Sequence, residues 1–353
     1  MKIRRVILLL ICTLSVELLC SQYSNADKAA YQLGMKHAIN SRLDKQIESL
    51  MYKYCTLLQS VKGMYVDSVD IDKFTDDAIN NALKELDPHS IYIPKAEVEE
   101  MNEGIEGNFV GIGVAYNIYN DTVVINQTIS GTPAERAGIL PGDKIISIDG
   151  VRVAGVKIKR SKIPTMIKGA KDTKVHLGIQ RESKKDTLAF TIKRDKIPIY
   201  SIDLSTIVEP GVGYIKVNSF SMTTTDEMNK ALDKLESEGG FNTLILDLQG
   251  NGGGIMKAAI NMVNLFLEPN LTIVSSKGTH YPEQYIRSSN YGKKLTDKNL
   301  IILIDEYSAS ASEITAGALQ DWDRATIIGR RSFGKGLIQN RTALYDGSEL
   351  RLT

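Results

Sequence analysis

From residue 198 onward, predicted strands and helices alternate along the chain, and this order restricts the folds that are open to it. Residues 213–217 and 243–248 read as strands, residues 300–304 form an apolar run of strand length, and residues 225–238 form an amphipathic helical pattern. A second helix is predicted from the glycine-rich turn after residue 248 to Leu267. Alternation of this kind predicts an α/β core with largely parallel strands.

The last of these strands leads into a serine-rich turn. The run LIILI ends at Asp305, and a helical pattern begins near Ser312. Ser310 is therefore expected on the turn between strand and helix, where a hydroxyl can be exposed above a sheet and N–H groups point at a bound group.

A lysine and an amide follow this serine. Lys335 lies between two glycines, and Gln339 follows four residues later. If residues 334–339 form a strand, Lys335 and Gln339 share one face, because side chains alternate with period two. A serine, a lysine and an amide are then expected at one place.

Each of these residues also has a simpler interpretation. Ser310 and Glu313 fit a capping box, with serine at the N-cap and glutamate at N3. Taken alone, Lys335 is an ordinary surface lysine and Gln339 a polar residue on an edge strand. The combination favours a site: S-A-S-A-S-E is followed by L-Q-D and then by F-G-K-G-x-x-Q.

This combination resembles the carboxyl-terminal processing proteases, the Ser/Lys peptidases of family S41, from about Val61 to the last residue. The resemblance implies a ClpP/crotonase-like core, with Ser310 as the nucleophile, Lys335 as the general base and Gln339 as the residue that orients the lysine. A lysine accepts a proton only in its neutral form, which burial favours. The apolar neighbours Phe333, Leu337 and Ile338 predict such burial, and a neutral amide would not hold the lysine charged.

Residues 250–254 (GNGGG) form the glycine turn that is expected to help stabilise a developing oxyanion. The resemblance places one donor on Gly254, and the second is the N–H of Ala311, next to the nucleophile. A phosphate-binding loop is the alternative, but neither G-x-x-x-x-G-K-[ST] nor G-x-G-x-x-G occurs here. Gln249 is a departure, because many relatives carry arginine at this position, and it leaves the contacts with the substrate strand in doubt.

Residues 107–193 read as short strands separated by glycine turns, with P-A-x-x-A-G and then G-D-x-I-x-x-I-x-G. This order resembles a PDZ domain, and the resemblance implies capture of a C-terminal tail by strand addition. The loop expected to bind the terminal carboxylate contains Val110, Gly111, Ile112 and Gly113. Arg181 is the candidate for a contact with the protease core, with an ordinary surface arginine as its alternative. A β-domain that only spaces its neighbours is the alternative for the whole region.

Residues 43–103 show helical periodicity, with Asp70 and Asp72 as capping residues between two helices. An apolar stripe predicts a homodimer through these helices, and packing on the chain's own second helix is the alternative; its members are Ile47, Leu50, Met51, Tyr54, Leu57 and Leu58. The turn Asp87-Pro88-His89-Ser90 ends the second helix. His89 is expected to have a structural role.

The first residues read as an export signal. Lys2, Arg4 and Arg5 precede the apolar run 6–16, and Ala26 offers a cleavage position. This predicts a periplasmic or cell-envelope location; a lipid anchor at Cys20 is disfavoured by the bulky Leu18 and Leu19. After such a cleavage only Cys55 would remain, and it is expected to be buried in a helix.

The composition adds exclusions. The net charge of +1 gives no reason to expect a nucleic-acid partner, and the histidines and cysteines have no ligand-like spacing. No metal and no other cofactor is expected.

The fold class predicted is α/β, with a signal peptide at 1–26, a helical region at 27–106, a PDZ domain at 107–197 and a protease core at 198–353. The function predicted is an exported serine endopeptidase that recognises the free C-termini of protein or peptide substrates. One alternative is a PDZ-based binding protein with an inactive core, since the chain stops within an apparent strand and reads as truncated. Another is a crotonase-like acyl-transfer enzyme, which Lys335 and the PDZ region disfavour.

Overall fold

A computed structural model describes residues 45–279 and 281–353, which form two compact units. The first unit contains the described residues up to Glu99 together with Leu337–Thr353, and the second contains Glu100–Gly336. The expected signal peptide, its cleavage position and Cys20 lie outside the described residues. Within the described part of the chain, no helix has the length and apolar character needed to cross a membrane.

The first unit combines two helices with a small sheet. Helices α1 (Lys45–Met64) and α2 (Ile71–Lys84) are followed by strand β1 (Ile91–Ile93). The side chain of Asp70 caps α2 by accepting a hydrogen bond from Lys73 N at 3.0 Å, as the sequence predicts. Strand β1 pairs with the last strand of the chain, Glu349–Leu352, which also pairs with Asn340–Ala343.

Most of the apolar stripe on α1 stays exposed in this unit, while Tyr54 and Leu58 are half-buried. The side chains of Leu50 and Met51 are 53% and 58% exposed, so the alternative in which the stripe packs on α2 does not hold in the described residues. Cys55 is also exposed on α1, and the expectation of a buried cysteine was wrong. The reason is that no described residue covers this face of the helix.

The second unit begins with the region predicted as a PDZ domain. Helix α3 (Lys95–Glu106) begins in the first unit and ends in the second. It is followed by β2 (Asn108–Gly111), β3 (Val114–Tyr119), β4 (Thr122–Thr128) and the short helix α4 (Pro133–Arg136). The remaining elements are β5 (Lys144–Ile148), β6 (Val151–Arg152), α5 (Lys162–Ile167), β7 (Lys174–Gln180), β8 (Leu188–Lys193) and β9 (Asp195–Pro198).

Most of this region forms one antiparallel sheet with the strand order β3-β4-β5-β7-β8, and β6 pairs with β5. Its core is almost entirely aliphatic, and Ile145, Ile148 and Ile179 are fully buried. The Asp149-Gly150 turn joins β5 to β6 with both residues at positive φ, which is the backbone expected of a tight hairpin. Strand β2 lies outside this sheet and pairs with β9.

The rest of the second unit is the α/β core that the alternation predicts. A five-stranded sheet contains β10 (Ile202–Glu209), β11 (Gly211–Val217), β12 (Phe241–Asp247), β15 (Asn299–Ile304) and β16 (Thr326–Gly329), in that order. All neighbours are parallel except β10 and β11. The crossover helices are α6 (Thr224–Ser237), α7 (Met256–Asn264) and α8 (Ala311–Asp321), and a hairpin of β13 (Thr272–Gly278) and β14 (Tyr281–Arg287) precedes β15.

The expected strand over residues 334–339 is absent. Residues 331–339 have no regular secondary structure, and the next strands are β17 (Asn340–Ala343) and β18 (Glu349–Leu352). The N–H groups of Gly334 and Lys335 donate to the carboxylate of Glu313 at 2.6 and 2.9 Å, so they are not available for a sheet ladder. The argument that period-two alternation brings Lys335 and Gln339 to one face was therefore wrong.

Candidate active site

Ser310 lies at the junction of β15 and α8, where the sequence predicts it. Its backbone has φ 55° and ψ −110°, a conformation that a residue with a Cβ adopts only under strain. Such a turn lifts the side chain out of the regular path of the chain, as in other strand–turn–helix nucleophile sites. The side chain of Ser310 is partly exposed.

The two neighbouring serines are not equivalent to Ser310. The hydroxyl of Ser308 is buried and donates to Leu248 O at 2.8 Å, and that of Ser312 is buried and donates to Asn251 O at 2.8 Å. The first hydroxyl holds the serine turn to the end of the strand before the glycine turn, and the second holds it to the glycine turn itself. Ser310 is therefore the serine of this turn that can meet a substrate.

Glu313 connects Ser310 with Lys335. One carboxylate oxygen, Oε2, accepts hydrogen bonds from Ser310 N at 2.7 Å and from Lys335 N at 2.9 Å. The other oxygen, Oε1, accepts from Ser332 Oγ at 2.8 Å and from Gly334 N at 2.6 Å. A side chain that the sequence marks only as part of a capping box thus holds the serine turn and the lysine segment together.

These hydrogen bonds also decide the charge of Glu313. Its partial burial by itself would raise the pKa, but the donors from Ser310, Ser332, Lys335 and Gly334 outweigh burial and hold the pKa below the ordinary value of 4.5. The carboxylate is therefore ionised at neutral pH. The side chain of Lys335 is half-buried.

The burial of Lys335 among apolar side chains, which the sequence predicts, is not observed for its three apolar neighbours. Phe333, Leu337 and Ile338 are 62%, 45% and 42% exposed, because the irregular segment 331–339 does not pack them into a core. Gln339 belongs to the first unit, where its side-chain amide donates to His89 O at 2.7 Å. Its assignment as the residue that orients Lys335 stays a prediction.

The glycine turn lies directly against Ser310. A Cβ added at Gly253 would be 2.9 Å from Ser310 Cβ and 3.0 Å from Ala311 N, so this position requires glycine. Gly253 N donates to Asn251 Oδ1 at 2.8 Å and is thereby occupied. Gly254, at φ 139°, packs on the backbone of Phe220.

Two N–H groups near Ser310 have no acceptor among residues 45–279 and 281–353. They are those of Gly254 and Ala311, the pair expected to form the oxyanion hole. The N–H groups that follow Ala311 in the first turn of α8 donate to the carbonyls of Ala309 and Ser310.

Several polar side chains fix the glycine turn. The amide of Asn251 is fully buried and donates to Val217 O at 2.9 Å, while Asn251 O accepts from Ala309 N at 3.0 Å. The carboxylate of Asp305 accepts from Gly250 N at 2.9 Å. Burial opposes ionisation of Asp305, but the hydrogen bonds from Gly250, Tyr307 and Ser308 hold its pKa below the ordinary value.

The sequence analysis missed Asn251 and Asp305 as supports of the site. Their positions at the ends of adjacent parallel strands were the available signal.

Hydrogen bonds with Asp247 and Lys216 fix the main chain at Gln249. Asp247 accepts from Gln249 N at 2.8 Å and from the Lys216 ammonium at 3.1 Å, and Lys216 also donates to Gln249 O at 2.5 Å. Tyr214 donates to the same carboxylate at 2.6 Å; burial first, and then this hydrogen bond, raises the pKa of Tyr214 to about 12. The backbone at Gln249 is thus fixed without an arginine side chain.

Of the four residues expected to bind a terminal carboxylate, two lie in a strand and two lie in a loop. Val110 and Gly111 belong to β2 and pair with β9, whereas Ile112 and Gly113 lie between β2 and β3. Gly113 has φ 83°, and a Cβ there would be 2.3 Å from the side chain of Thr132. The loop between the two strands is therefore shorter than the sequence predicts: it contains only Ile112 and Gly113.

Arg181 is used inside its own domain. Its guanidinium donates to both oxygens of the buried Asp143 at 2.7 and 2.8 Å and to Gly138 O at 2.8 Å. The assignment of Arg181 as a contact with the protease core stays a prediction, and these hydrogen bonds give Arg181 a second role within the PDZ region. Burial would raise the pKa of Asp143, but the Arg181 hydrogen bonds hold it below its ordinary value.

Comparison with known proteins agrees with both domains. Residues 211–353 match the model of peptidase family S41, and residues 99–180 match the PDZ domain model. A probable CtpA-like serine protease of Staphylococcus aureus strain N315 is 34% identical over 314 residues, which are 89% of this chain and 62% of that protein. The corresponding protein of Staphylococcus epidermidis is 33% identical over 90% of this chain and 63% of its own length. The chain thus spans about three fifths of these curated relatives.

Two solved structures are also similar. The photosystem II D1 C-terminal processing protease is 25% identical, with 94% of this chain and 88% of that chain covered and a TM-score of 0.46. The PDZ domain of a carboxy-terminal protease from Vibrio cholerae, solved in complex with a peptide, is 33% identical and has a TM-score of 0.24; it covers 26% of this chain and 97% of that chain.

Proposed function

We propose that this member of peptidase family S41, which carries a PDZ domain, is an exported serine endopeptidase that cleaves proteins recognised by their C-terminal tails. The observation that carries the proposal is the pair of hydrogen bonds by which Glu313 Oε2 holds Ser310 N and Lys335 N. Glu313 thus holds the backbone of the nucleophile and the backbone of the lysine at one carboxylate. A serine and a lysine held close together are what a Ser/Lys mechanism requires.

In this mechanism the hydroxyl of Ser310 attacks the carbonyl carbon of the scissile peptide bond. The amine of Lys335 takes the hydroxyl proton and later donates it to the departing amine. Water then attacks the acyl-enzyme ester and gives a proton to the same lysine. As the bond between the acyl carbon and Ser310 Oγ breaks, the lysine returns this proton to Ser310 Oγ, and the released carboxylic acid ionises in water. Gln339 orients the lysine amine without adding a negative charge.

The oxyanion that forms in each addition step is stabilised by the N–H groups of Ala311 and Gly254. The strained backbone at Ser310 and the buried amide of Asn251 support this role, since they fix both donors before the substrate arrives. Preorganised donors do not have to reorient during the reaction, which is why such groups contribute strongly to the rate.

Tail recognition is assigned to the start of β3. A substrate tail that adds to this strand brings its terminal carboxylate to the backbone at Ile112 and Gly113. The positive φ of Gly113 and its contact with Thr132 support a backbone shape that side chains would obstruct.

A fluorophosphonate probe on the full chain tests the proposal. We expect labelling of the wild-type chain and none of Ser310→Ala, because the phosphonylated atom is Ser310 Oγ. Ser289→Ala, a change at an exposed serine on another surface, is the matched control and should label normally. A wild-type chain that binds tail peptides but neither labels nor cleaves them would instead identify a PDZ-based binding protein with an inactive core.

A further inference from the structure

The PDZ sheet has one edge that no strand covers in the described part of the chain. Strand β3 stands at the end of the strand order and pairs with β4 on one side only. Its side chains Val114, Tyr116 and Ile118 pack against the aliphatic core of the domain, and burial raises the pKa of Tyr116. An exposed edge of this kind accepts an added strand through its backbone N–H and C=O groups.

Residues 157–162 form a short basic segment. It has the sequence KIKRSK and thus carries four cations, Lys157, Lys159, Arg160 and Lys162, and no carboxylate. All four are exposed. In the range 45–279 and 281–353, none of them takes part in an ion pair.

Three other lysines of the same domain are paired with carboxylates. Lys168 pairs with Glu103 at 2.7 Å, Lys171 lies 3.3 Å from Asp195, and Lys193 pairs with Asp172 at 2.7 Å. The basic segment therefore differs from the rest of the domain surface in grouping four cations within six residues, with no carboxylate among them. Unpaired charge of one sign attracts ligands of the opposite sign and increases their rate of association.

The fold places the basic segment at the far end of β3. Lys157 N donates to Asp121 Oδ2 at 2.5 Å, and Gly155 N donates to Asp121 O at 2.9 Å, in the turn that joins β3 to β4. At its other end the segment enters α5, whose Ile163 and Ile167 are buried in the same core as the side chains of β3. The segment thus begins beside the end of β3 and leads into the helix that packs on the same core.

The direction of a bound tail follows from these positions. A tail whose carboxylate lies at Ile112 and Gly113, at the start of β3, must run antiparallel to that strand. Strand β3 has 6 residues, and an added strand advances about 3.3 Å per residue. The part of the tail that reaches the basic segment is therefore roughly four to seven residues before its C-terminus.

We propose that the PDZ domain selects substrates whose tails are acidic at these upstream positions, with the basic segment as the contact. This inference rests on the tail recognition proposed above and adds the chemical class of the tail. An anionic membrane surface would also attract the segment, but the open edge beside it favours a peptide that is already bound along β3.

Fluorescence anisotropy on the full chain carrying Ser310→Ala, which prevents cleavage, tests the proposal. Two labelled peptides share the same apolar C-terminal residues and differ only in having two Glu or two Gln about five residues upstream. We expect the Glu peptide to bind on the order of fivefold to tenfold more tightly at low salt. The difference should largely vanish at 0.5 M salt, a condition chosen because exposed charges are screened there.

The double variant Lys159→Gln with Arg160→Gln should reduce this preference to about twofold or less. The matched control, Lys184→Gln with Lys185→Gln, removes the same charge from exposed residues between β7 and β8, at the opposite side of the sheet, and should keep the preference. Equal affinity for the two peptides, or an equal loss in both double variants, would overturn the proposal.

Two further measurements, one with an amidated peptide and one with lipid vesicles, distinguish failure of the acidic-tail proposal from failure of tail recognition and from membrane binding. An amidated Glu peptide that binds as well as the free acid would refute tail recognition itself; a free acid that is preferred without any Glu preference refutes only the acidic class. Vesicles containing phosphatidylglycerol are the lipid probe. Vesicle binding that depends on Lys159 and Arg160, together with no Glu preference, would assign the segment to a membrane.

Discussion

The turn that carries Ser310 and the open edge at β3 are both assigned to a peptide ligand, yet they are built in opposite ways. Around Ser310 nearly every polar group has a partner inside the chain: Glu313 binds four donors, and Asn251 and Asp305 hold the glycine turn. Along β3, one row of backbone groups and the nearby basic segment have no partner in the described residues.

The difference shows that catalysis and tail recognition place different demands on the polar groups of a site. Catalysis depends on groups that are already in place when charge develops, so the serine turn accepts backbone strain in return for fixed geometry. Recognition of a tail depends on groups that form bonds only when the ligand arrives, so the edge has to stay open. Changes in the first region should therefore affect the rate, and changes in the second should affect affinity.

Replacement of Lys335 should give the largest effect. Lys335→Arg keeps a positive charge but cannot serve as a base, because a guanidinium does not lose its proton in proteins. We expect a fall in kcat on the order of 10³ or more for both Lys335→Arg and Lys335→Ala, since each removes the general base. Cleavage of a fluorogenic peptide measures it, and near-normal turnover of Lys335→Arg would refute the Ser/Lys assignment.

Glu313→Gln should act next most strongly. The amide is the same size but offers one acceptor oxygen where the carboxylate offers two, so Ser310 N and Lys335 N can no longer be held with the other two donors. A loss on the order of 10²-fold in kcat with little change in KM is expected, as for other displaced catalytic groups. A change in KM alone would mean that Glu313 is not a positioning residue for the catalytic pair.

The same variant has a signature in the pH dependence of stability. The pKa of Glu313 is lower in the folded chain than its ordinary value of 4.5, so its ionised form is stabilised by folding. This contribution is present above about pH 4.5 and is lost as the pH falls through the folded-state pKa. Urea midpoints measured between pH 3 and 7 should fall less on acidification for Glu313→Gln than for the wild type.

Arg181→Met should lower stability by about 2 kcal/mol, because it leaves the buried carboxylate of Asp143 without its cation; the partial exposure of Arg181 keeps the figure below that of a fully buried pair. Urea unfolding followed in the PDZ region measures this, and Lys184→Met is the control at an exposed position. A variant with unchanged stability but slower cleavage would support the predicted contact of Arg181 with the protease core.

The exposed stripe on α1 is the second open surface and should give the smallest effect, a twofold change in mass. If it mediates a homodimer, Leu50→Lys together with Leu57→Lys should halve the mass measured by light scattering, because both side chains are exposed and apolar. Lys53→Glu, at an exposed neighbour on the same helix, is the control. An unchanged mass in the double variant would remove the dimer prediction.

The sequence predicted the parts that depend on local pattern. The strand before Ser310 and the helix after it follow from the run LIILI and from the S-x-x-E cap, and the parallel core follows from the alternation of strands and helices. The Asp149-Gly150 hairpin could be predicted as well. A two-residue turn of this type needs positive φ at both positions, and the pair Asp-Gly is among the few that adopt it readily. Period and backbone preference are properties of short segments.

Other predictions failed for a common reason. The expected strand at 334–339 is irregular because Glu313, 21 residues before Gly334, takes its N–H groups. The hydrogen bonds of Arg181 to Asp143, 38 residues away in sequence, were likewise not predicted. Cys55 and most of the apolar stripe are exposed because no described residue lies over that face of α1.

The sequence by itself determined which residue types were available for the chemistry and on which elements they lie: a serine at a strand–helix turn, a lysine between glycines and a glycine turn after a parallel strand. Only the tertiary structure decided that Glu313 joins the serine turn to the lysine segment and that Asn251 holds the glycine turn against it. Periodicity reports which way a side chain points from its own element. A hydrogen bond between distant residues depends on how separate elements pack, and no local pattern encodes that.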